Sequence, residues 1–380
     1  MRNVECIPTE LWREIILYAC TDGGFTGRSL ALTSKFFHTQ SLSARFHSLA
    51  FTSLAQIEAF LVFLQLQSED CKPQIEHLFI SFHRDPIVTA PSFSWLGSSI
   101  MSRDAKEQWH ARYIAAMSAL FSPSLIVPTL RTLCMIEHHD VPLPPFPCDA
   151  MLKLEEFSAV HYTDVLQPHG TKNGDKVVLH SDIMATFPSL RRLHCVSDYT
   201  CPLPAYISIL AETAPSTLTH LRLSGIMSAS QDYASLPGEL ARALRVGPLP
   251  GGTPQSSTSA SALPPMGNGM SGLRHLVVHA LVPPSGGPCA APDAKWHKYQ
   301  TDLWGLQWRC KEKGLDMLSF CRPWQRNARW ADTLRADWMD RMRGGRGCWV
   351  MSEAEEAARE LYADEAQLRP EGLSDNPEAP

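Results

Sequence analysis

Seven copies of one short pattern, apolar-x-x-apolar-x-apolar, constrain this chain more than any other feature. They are Ile75/Leu78/Ile80, Leu130/Leu133/Met135, Leu154/Phe157/Ala159, Leu190/Leu193/Cys195, Leu218/Leu221/Leu223, Leu273/Leu276/Val278 and Leu315/Leu318/Phe320. The last two positions of each copy are two apart, the period of a β-strand with one buried face. First residues fall 55, 24, 36, 28, 55 and 42 apart. Removing the Gly/Pro/Ser-rich stretch 247–272 leaves 29 of the second 55, and removing 283–292 leaves 32 of the 42. Helical patterns lie between the strands at Arg103 to Phe121, His180 to Phe187, Leu203 to Ala214, Leu236 to Val246 and Asp293 to Lys313. Each strand is thus followed by a return crossover, and the strands are expected to run parallel.

A period from the high twenties to the thirties, with one strand and one helix per unit, is the range of leucine-rich repeats. The expected fold class is therefore α/β, an irregular leucine-rich-repeat-like parallel β/α array. No asparagine follows the strands and the repeats vary in length, so the arc is expected to be shallow; a mixed α/β sheet without a solenoid is the alternative. If Leu78, Ile80 and their counterparts face the helices, the alternating residues line the other, concave face. One row across it runs His77, Thr132, Glu156, Arg192, His220, His275 and Met317, and the next Phe79, Cys134, Ser158, His194, Arg222, Val277 and Ser319. Mixed charge, histidine and apolar groups suit protein recognition, so His77, Phe79, Arg192, His194, His220, Arg222 and His275 are the candidate target-binding residues. His220 and His275 as cross-strand neighbours, with His194 close by, invite a metal reading, but histidine on adjacent strands is usually exposed polar surface and a site also needs a third or fourth ligand with supporting bonds, so no metal is expected. Glu137-His138-His139-Asp140 reads as a polar loop.

The N-terminus carries a different signal. Pro8 opens a helix in which Leu11, Trp12, Ile15, Ile16 and Ala19 recur at helical spacing. The cluster Thr21 to Gly27 stops it, a short piece carries Leu30 and Leu32, and Ser34 is placed to cap a third helix bearing Phe36, Phe37 and Leu42. Three helices in about forty residues make a bundle too small to complete its own core, so an apolar partner or neighbouring domain is expected. The ordered string Ile7-Pro8-Thr9-Glu10-Leu11-Trp12, then Leu32-Thr33-Ser34-Lys35-Phe36-Phe37, then Arg45-Phe46, resembles the F-box, with isoleucine where leucine is commoner before the proline. The resemblance covers roughly residues 4 to 50. It implies docking on the Skp-type adaptor of a cullin-based (SCF) ubiquitin ligase through Ile7, Pro8 and Leu11, with Trp12, Ile15, Leu32 and Phe36 as further adaptor-facing residues.

Composition bounds the remaining classes. With 380 residues, 44% hydrophobic and 19% charged, there is material for a sizeable core and about two units. The start lacks a signal-peptide h-region, and the most apolar run, Ile57 to Leu66, is too short for a bilayer. An intracellular, cytoplasmic or nuclear, address is expected. The eleven cysteines include no C-x-x-C pair and read as reduced core residues. A net charge of −5 gives no footprint for nucleic acid. No nucleophile elbow, phosphate loop or zinc-protease motif occurs, so no enzyme activity and no cofactor are expected.

Seven tryptophans from Trp296 to Trp349 mark the C-terminal part. Trp330, Leu334, Trp338 and Met342 share one helix face, either a cap closing the end of the repeat core or a binding hot spot. The short basic turn Arg341 to Gly347 reads as solvated. Ser352 to Glu355 forms a capping box opening a last helix to about Leu368, as Ser53 to Gln56 does for the linking helix. The expected organisation is an F-box-like bundle (4–50), a linking helix (51–70), the repeat domain (71–322, with flexible insertions 247–272 and 283–292), a helical cap (323–368) and a disordered tail (369–380). The expected function is a target-recruiting adaptor of a ubiquitin ligase; the alternative is a binding scaffold whose bundle is only a structural cap.

Overall fold

A computed structural model describes residues 7–42, 44–67, 73–82, 85, 103–136, 151–160, 187–196, 207, 210–211, 214–227, 235–247, 270–282, 294–323 and 330–350. The elements in order are α1 (Thr9–Ala19), α2 (Phe25–Thr33), α3 (Lys35–Ser41), β1 (Ser48–Phe51), α4 (Leu54–Gln65), β2 (His77–Ser81), α5 (Arg103–Leu120), β3 (Thr132–Ile136), β4 (Glu156–Val160), β5 (Arg192–Val196), β6 (His220–Met227), α6 (Leu236–Ala243), β7 (His275–Val282), α7 (Ala294–Glu312), β8 (Asp316–Pro323), α8 (Trp330–Met342) and a 3₁₀ turn (Gly347–Trp349). The expected insertions 247–272 and 283–292, the helix His180 to Phe187, the loop Glu137 to Asp140, the capping box at Ser352 and the tail 369–380 lie wholly or almost wholly outside the described residues.

The eight strands form one sheet in the order β1 to β8, and every pair is parallel. Strands that follow one another as neighbours in one direction require every crossover to return, which is the α/β organisation the repeat spacing implies. The backbone repeats as well as the side chains. The carbonyls of His47, Glu76, Arg131, Glu155, Arg191 and Thr219 each accept two consecutive N–H groups from the start of the next strand. Leu130, Leu154, Leu190, Leu218 and Leu273, the first residues of five of the motifs, each donate their N–H back into the turn that precedes them. Each motif leucine thereby closes a turn and delivers the chain into the sheet.

Six of the seven motifs bury all three positions, from Ile75 at 0% exposure to Leu273 at 8%. They join Ile57, Tyr113, Met117, Leu240, Tyr299 and Leu306 from the helices in one continuous core on the helical side. The seventh motif is corrected. Asp316, not Met317, stands opposite His275, and Met317 pairs Leu276 and enters the core in place of Leu318. A slip of one residue turns a strand over, so Leu318 and Ser319 exchange the faces expected of them. Among the described residues there are eight strands where seven motifs were read, because β1 straddles the boundary between the segments assigned to the N-terminal bundle and the linking helix.

α4 begins at Leu54 as expected, but its capping differs from the expected box. Gln56 Oε1 accepts from Thr52 N at 2.7 Å, and Asp85 Oδ2 accepts from Leu54 N at 3.0 Å. A carboxylate from beyond β2 therefore satisfies the helix start, in the favourable sense of the helix dipole. In β6, Gly225 at φ +74° marks a bulge between Ser224 and Ile226, a backbone state in which glycine avoids strain.

The sheet is covered on both sides. Opposite the helical core, Phe79, Cys134, Val160 and Val196 form a second apolar cluster with Leu334, Trp338 and Met342 of α8. The C-terminal helix therefore does not close the end of the array: it lies across the face expected to be open. All-parallel sheets are characteristically buried on both faces, and α8 supplies the second cover.

Candidate functional site

The N-terminal bundle turns little of its apolar surface inward. Ile16, Cys20 and Ala44 form its core, with Leu17, Leu30 and Phe37 packed against them. Ile16 and Cys20 are four apart and share the inner face of α1. Leu11, Ile15 and Tyr18 repeat at the same helical spacing and point outward, 52, 49 and 81% exposed. Ile7, Phe25, Leu32 and Phe36 are also exposed. Trp12 is half-buried edge-on between Phe36 and Phe37, with ring centroids 6.1 and 5.2 Å away, and so ties α1 to α3. Ser34 caps α3 as expected, accepting from Phe37 N at 3.2 Å.

The single apolar face expected for α1 thus divides. Ile16 packs inward, whereas Leu11 and Ile15 do not. Of the candidate adaptor residues, Ile7, Pro8, Leu11, Ile15, Leu32 and Phe36 lie at the surface. Tyr18 and Phe25 were missed, although Tyr18 is seven residues after Leu11 and the same periodicity finds it. So many large apolar side chains outside a core of three residues form the kind of surface that proteins use for association.

The bundle is bonded to the sheet edge. Ser48 Oγ donates to Cys20 O at 2.9 Å and accepts from Gly23 N at 3.1 Å, while Ala50 N donates to Gly23 O at 3.3 Å. A Cβ on Gly27 would stand 2.6 Å from the backbone of Arg45, so α2 can approach the chain leaving the bundle only because that position has no side chain. Burial pushes the Cys20 thiol up to about 11, which leaves it an inert core group.

The second face of the sheet carries two rows of the residues proposed for target binding. The first runs His77, Thr132, Glu156, Arg192, His220, His275 and Asp316. His220 and His275 stack at 4.4 Å, and His275 Nδ1 lies 3.2 Å from Asp316 Oδ2. Glu156 is the hub: Oε2 accepts from Arg192 at 3.3 Å and Arg341 at 3.0 Å, and Oε1 accepts from Trp349 Nε1 at 3.0 Å. Arg341, expected to be solvated, is instead an anchor of the C-terminal segment.

The second row is buried. Phe79, His194 and Arg222 are 0, 1 and 5% exposed, so the expectation of an open surface at these three is corrected. Trp338 covers Phe79 at 5.8 Å, and Arg222 donates to Cys348 O and, through Nε, to Ser224 Oγ at 3.1 Å. His194 Nε2 lies 3.0 Å from Ser224 Oγ. The grouping of His194 with His220 and His275 is not formed, since His194 turns to Ser224 in the covered row. Arg192, His220 and His275 keep partial exposure along the rim.

Glu156 supplies a direct test of how the C-terminal segment is held. Replacing it with alanine leaves Arg192, Arg341 and Trp349 without their shared acceptor, and a loss of about 2 kcal/mol is expected in denaturant unfolding. Limited proteolysis near Trp349 should accelerate in the same variant.

The histidines give the face a pH response. Burial, then Arg222, holds His194 well below the ordinary imidazole value of 6.5, and burial with the neighbouring His275 lowers His220 to about 4. Both are neutral in the folded chain, so below pH 6.5 the unfolded chain takes up protons that the folded chain refuses. Stability is therefore expected to be full above that value and to fall as pH drops toward 4. Urea midpoints across that range check this, and His220→Asn should make the decline shallower.

Near the sheet edge, His77, one of the candidate target-binding residues and half-buried, meets His47 and Glu76, which belong to neither candidate set, and the three bring one ligand atom each to within 4.8 Å of one another. Among the described residues no helix is long and apolar enough to cross a membrane. No family model matches this chain, and neither a curated protein nor a solved structure matches it.

Proposed function

We propose that this protein is a non-catalytic recruiting subunit, docking a Skp-type adaptor of a cullin ubiquitin ligase through its N-terminal bundle and binding a target protein with the rest of the chain. The observation that carries the reading is the outward stripe of Leu11 and Ile15, with Ile7, Leu32 and Phe36, on a bundle whose apolar core among the described residues is Ile16, Cys20 and Ala44. Those exposed positions are the ones that the resemblance to the F-box assigns to the adaptor. The net charge of −5 favours a protein partner over nucleic acid. Target contact is assigned to the partly exposed rim of Arg192, His220 and His275, flanked by Trp349, while Phe79, His194 and Arg222 hold the C-terminal segment in place. Ubiquitin transfer would belong to other subunits.

A scaffold that never meets an adaptor is the second reading, favoured by the Ser48 and Gly23 bonds that seat the bundle on β1. Co-expression with the adaptor separates the two. A complex that co-purifies, and is lost when Pro8 and Leu11 are replaced, supports recruitment; a well-folded chain that leaves the adaptor behind supports the scaffold.

A further inference from the structure

We propose that His47, Glu76 and His77 form a binding site for a divalent transition-metal cation of the zinc class, clamping the exit of the N-terminal bundle to the first two strands. The repeat architecture itself brings the three together. The carbonyl of His47 accepts the N–H groups of both Glu76 and His77, at 3.0 and 3.1 Å, so the three side chains leave the backbone at adjoining points. Each offers one ligand atom, and these atoms lie within 4.8 Å of one another.

Two of the three donors are already oriented by neighbours. His77 Nδ1 lies 3.0 Å from Thr132 Oγ1, which leaves Nε2 as its outward ligand atom. Glu76 divides its carboxylate: Oε2 forms an ion pair with Arg131 Nε at 3.1 Å, and Oε1 faces His47 Nδ1 at 3.9 Å. That separation is too long for a hydrogen bond. Two ligand atoms each about 2.1 Å from a tetrahedral zinc lie roughly 3.4 Å apart, so an ion would draw the group together by less than about 1.5 Å. Supporting bonds of this kind, which fix a tautomer and a carboxylate rotamer, are what metal ligands require. Two imidazoles and one carboxylate select a zinc-like ion over calcium or magnesium, with a water completing the fourth position.

The same place in later repeats is filled differently. Glu76 is followed there by Arg131 and Thr132, and Arg131 by Glu155 and Glu156, so carboxylate and guanidinium alternate along the strand starts. Among the described residues, this junction is where two imidazoles and a carboxylate bring one ligand atom each within 4.8 Å of one another, which His220, His275 and Asp316 further along the row do not. An ion there would join His47, one residue before β1, to the start of β2 and so lock the bundle's exit to the sheet.

Cobalt(II) titration of the full-length, reduced chain tests this, with zinc added afterwards as competitor. The expected result is one saturable equivalent showing tetrahedral ligand-field absorption without a thiolate charge-transfer band, displaced by zinc. His47→Gln and Glu76→Gln should each weaken binding by on the order of 100-fold or more, and zinc should raise the melting temperature of the parent chain and not of the variants. Melts without metal establish that the variants fold, and either variant alone suffices. No cobalt bound by the parent, binding with a thiolate band, or binding unchanged in a folded variant would each overturn the site.

Discussion

Replacement of Trp338 by alanine is expected to lower stability by about 3–5 kcal/mol, the cost of emptying a large aromatic site in a packed core. Trp338 is 6% exposed and lies at the centre of the second apolar cluster, between Phe79 and the bundle. A Cβ on Gly23 would come 3.7 Å from its ring, so the same side chain lies beside the loop after α1. Its loss leaves Phe79, Cys134 and Val160 facing a void that Leu334 and Met342 are too short to fill. Trp338→Phe should cost much less, because Trp338 Nε1 has no hydrogen-bond partner among the described residues and only ring volume is lost. Urea unfolding of the two variants measures the difference. A loss under about 1 kcal/mol for the alanine variant would mean that α8 does not cover the sheet in solution.

The second large effect concerns association. Leu11→Glu together with Ile15→Glu should leave stability within about 0.5 kcal/mol, since both positions are about half exposed and make no part of the bundle's core. Adaptor binding should fall on the order of 1000-fold, as two anchors worth about 2 kcal/mol each are replaced by charges that cannot be buried. Ile16→Glu reverses the pattern: Ile16 is 1% exposed, and its replacement should unfold the bundle. The contrast between neighbours on one helix distinguishes a docking surface from a merely fragile domain.

How much of this was legible in the sequence depends on how locally each feature is determined. Leu78, Leu133, Phe157, Leu193, Leu221 and Leu276 were read correctly because a buried strand face imposes a period of two, whatever surrounds it. The seventh copy failed because Leu315, Met317, Leu318 and Phe320 offer two apolar registers, and the choice between them is made elsewhere. Leu315 N bonds to Cys310 O at the end of α7, and Gly314 at φ +74° turns the chain, so the turn and not the strand sets the register. β1 was hidden by its four-residue length and by the helices before it. The stripe of Leu334, Trp338 and Met342 was visible, but a helix face records that it is covered and not by what. Phe79, Ile136, Val160 and Val196, apolar at the alternate positions of their strands, held the missing half of that contact.

The same distinction applies to the sites. Leu11 could be named because a spaced motif carries it and Ile15 because it shares the helical spacing, a spacing that also reaches Tyr18, whereas Phe25 needed the bundle's packing to be seen as outward. Glu156 gave no local sign of its role, since Arg192, Arg341 and Trp349 reach it from 36, 185 and 193 residues away. His47, Glu76 and His77 meet only because one carbonyl accepts two N–H groups from a distant stretch of chain.

Calorimetric titration of a purified Skp-type adaptor into the full-length chain tests recruitment most directly. A saturable one-to-one complex, abolished by Leu11→Glu with Ile15→Glu and retained by Glu156→Ala, is the result this account predicts. A folded, cooperative chain that produces no binding heat, or one that binds equally well with both residues replaced, would contradict it.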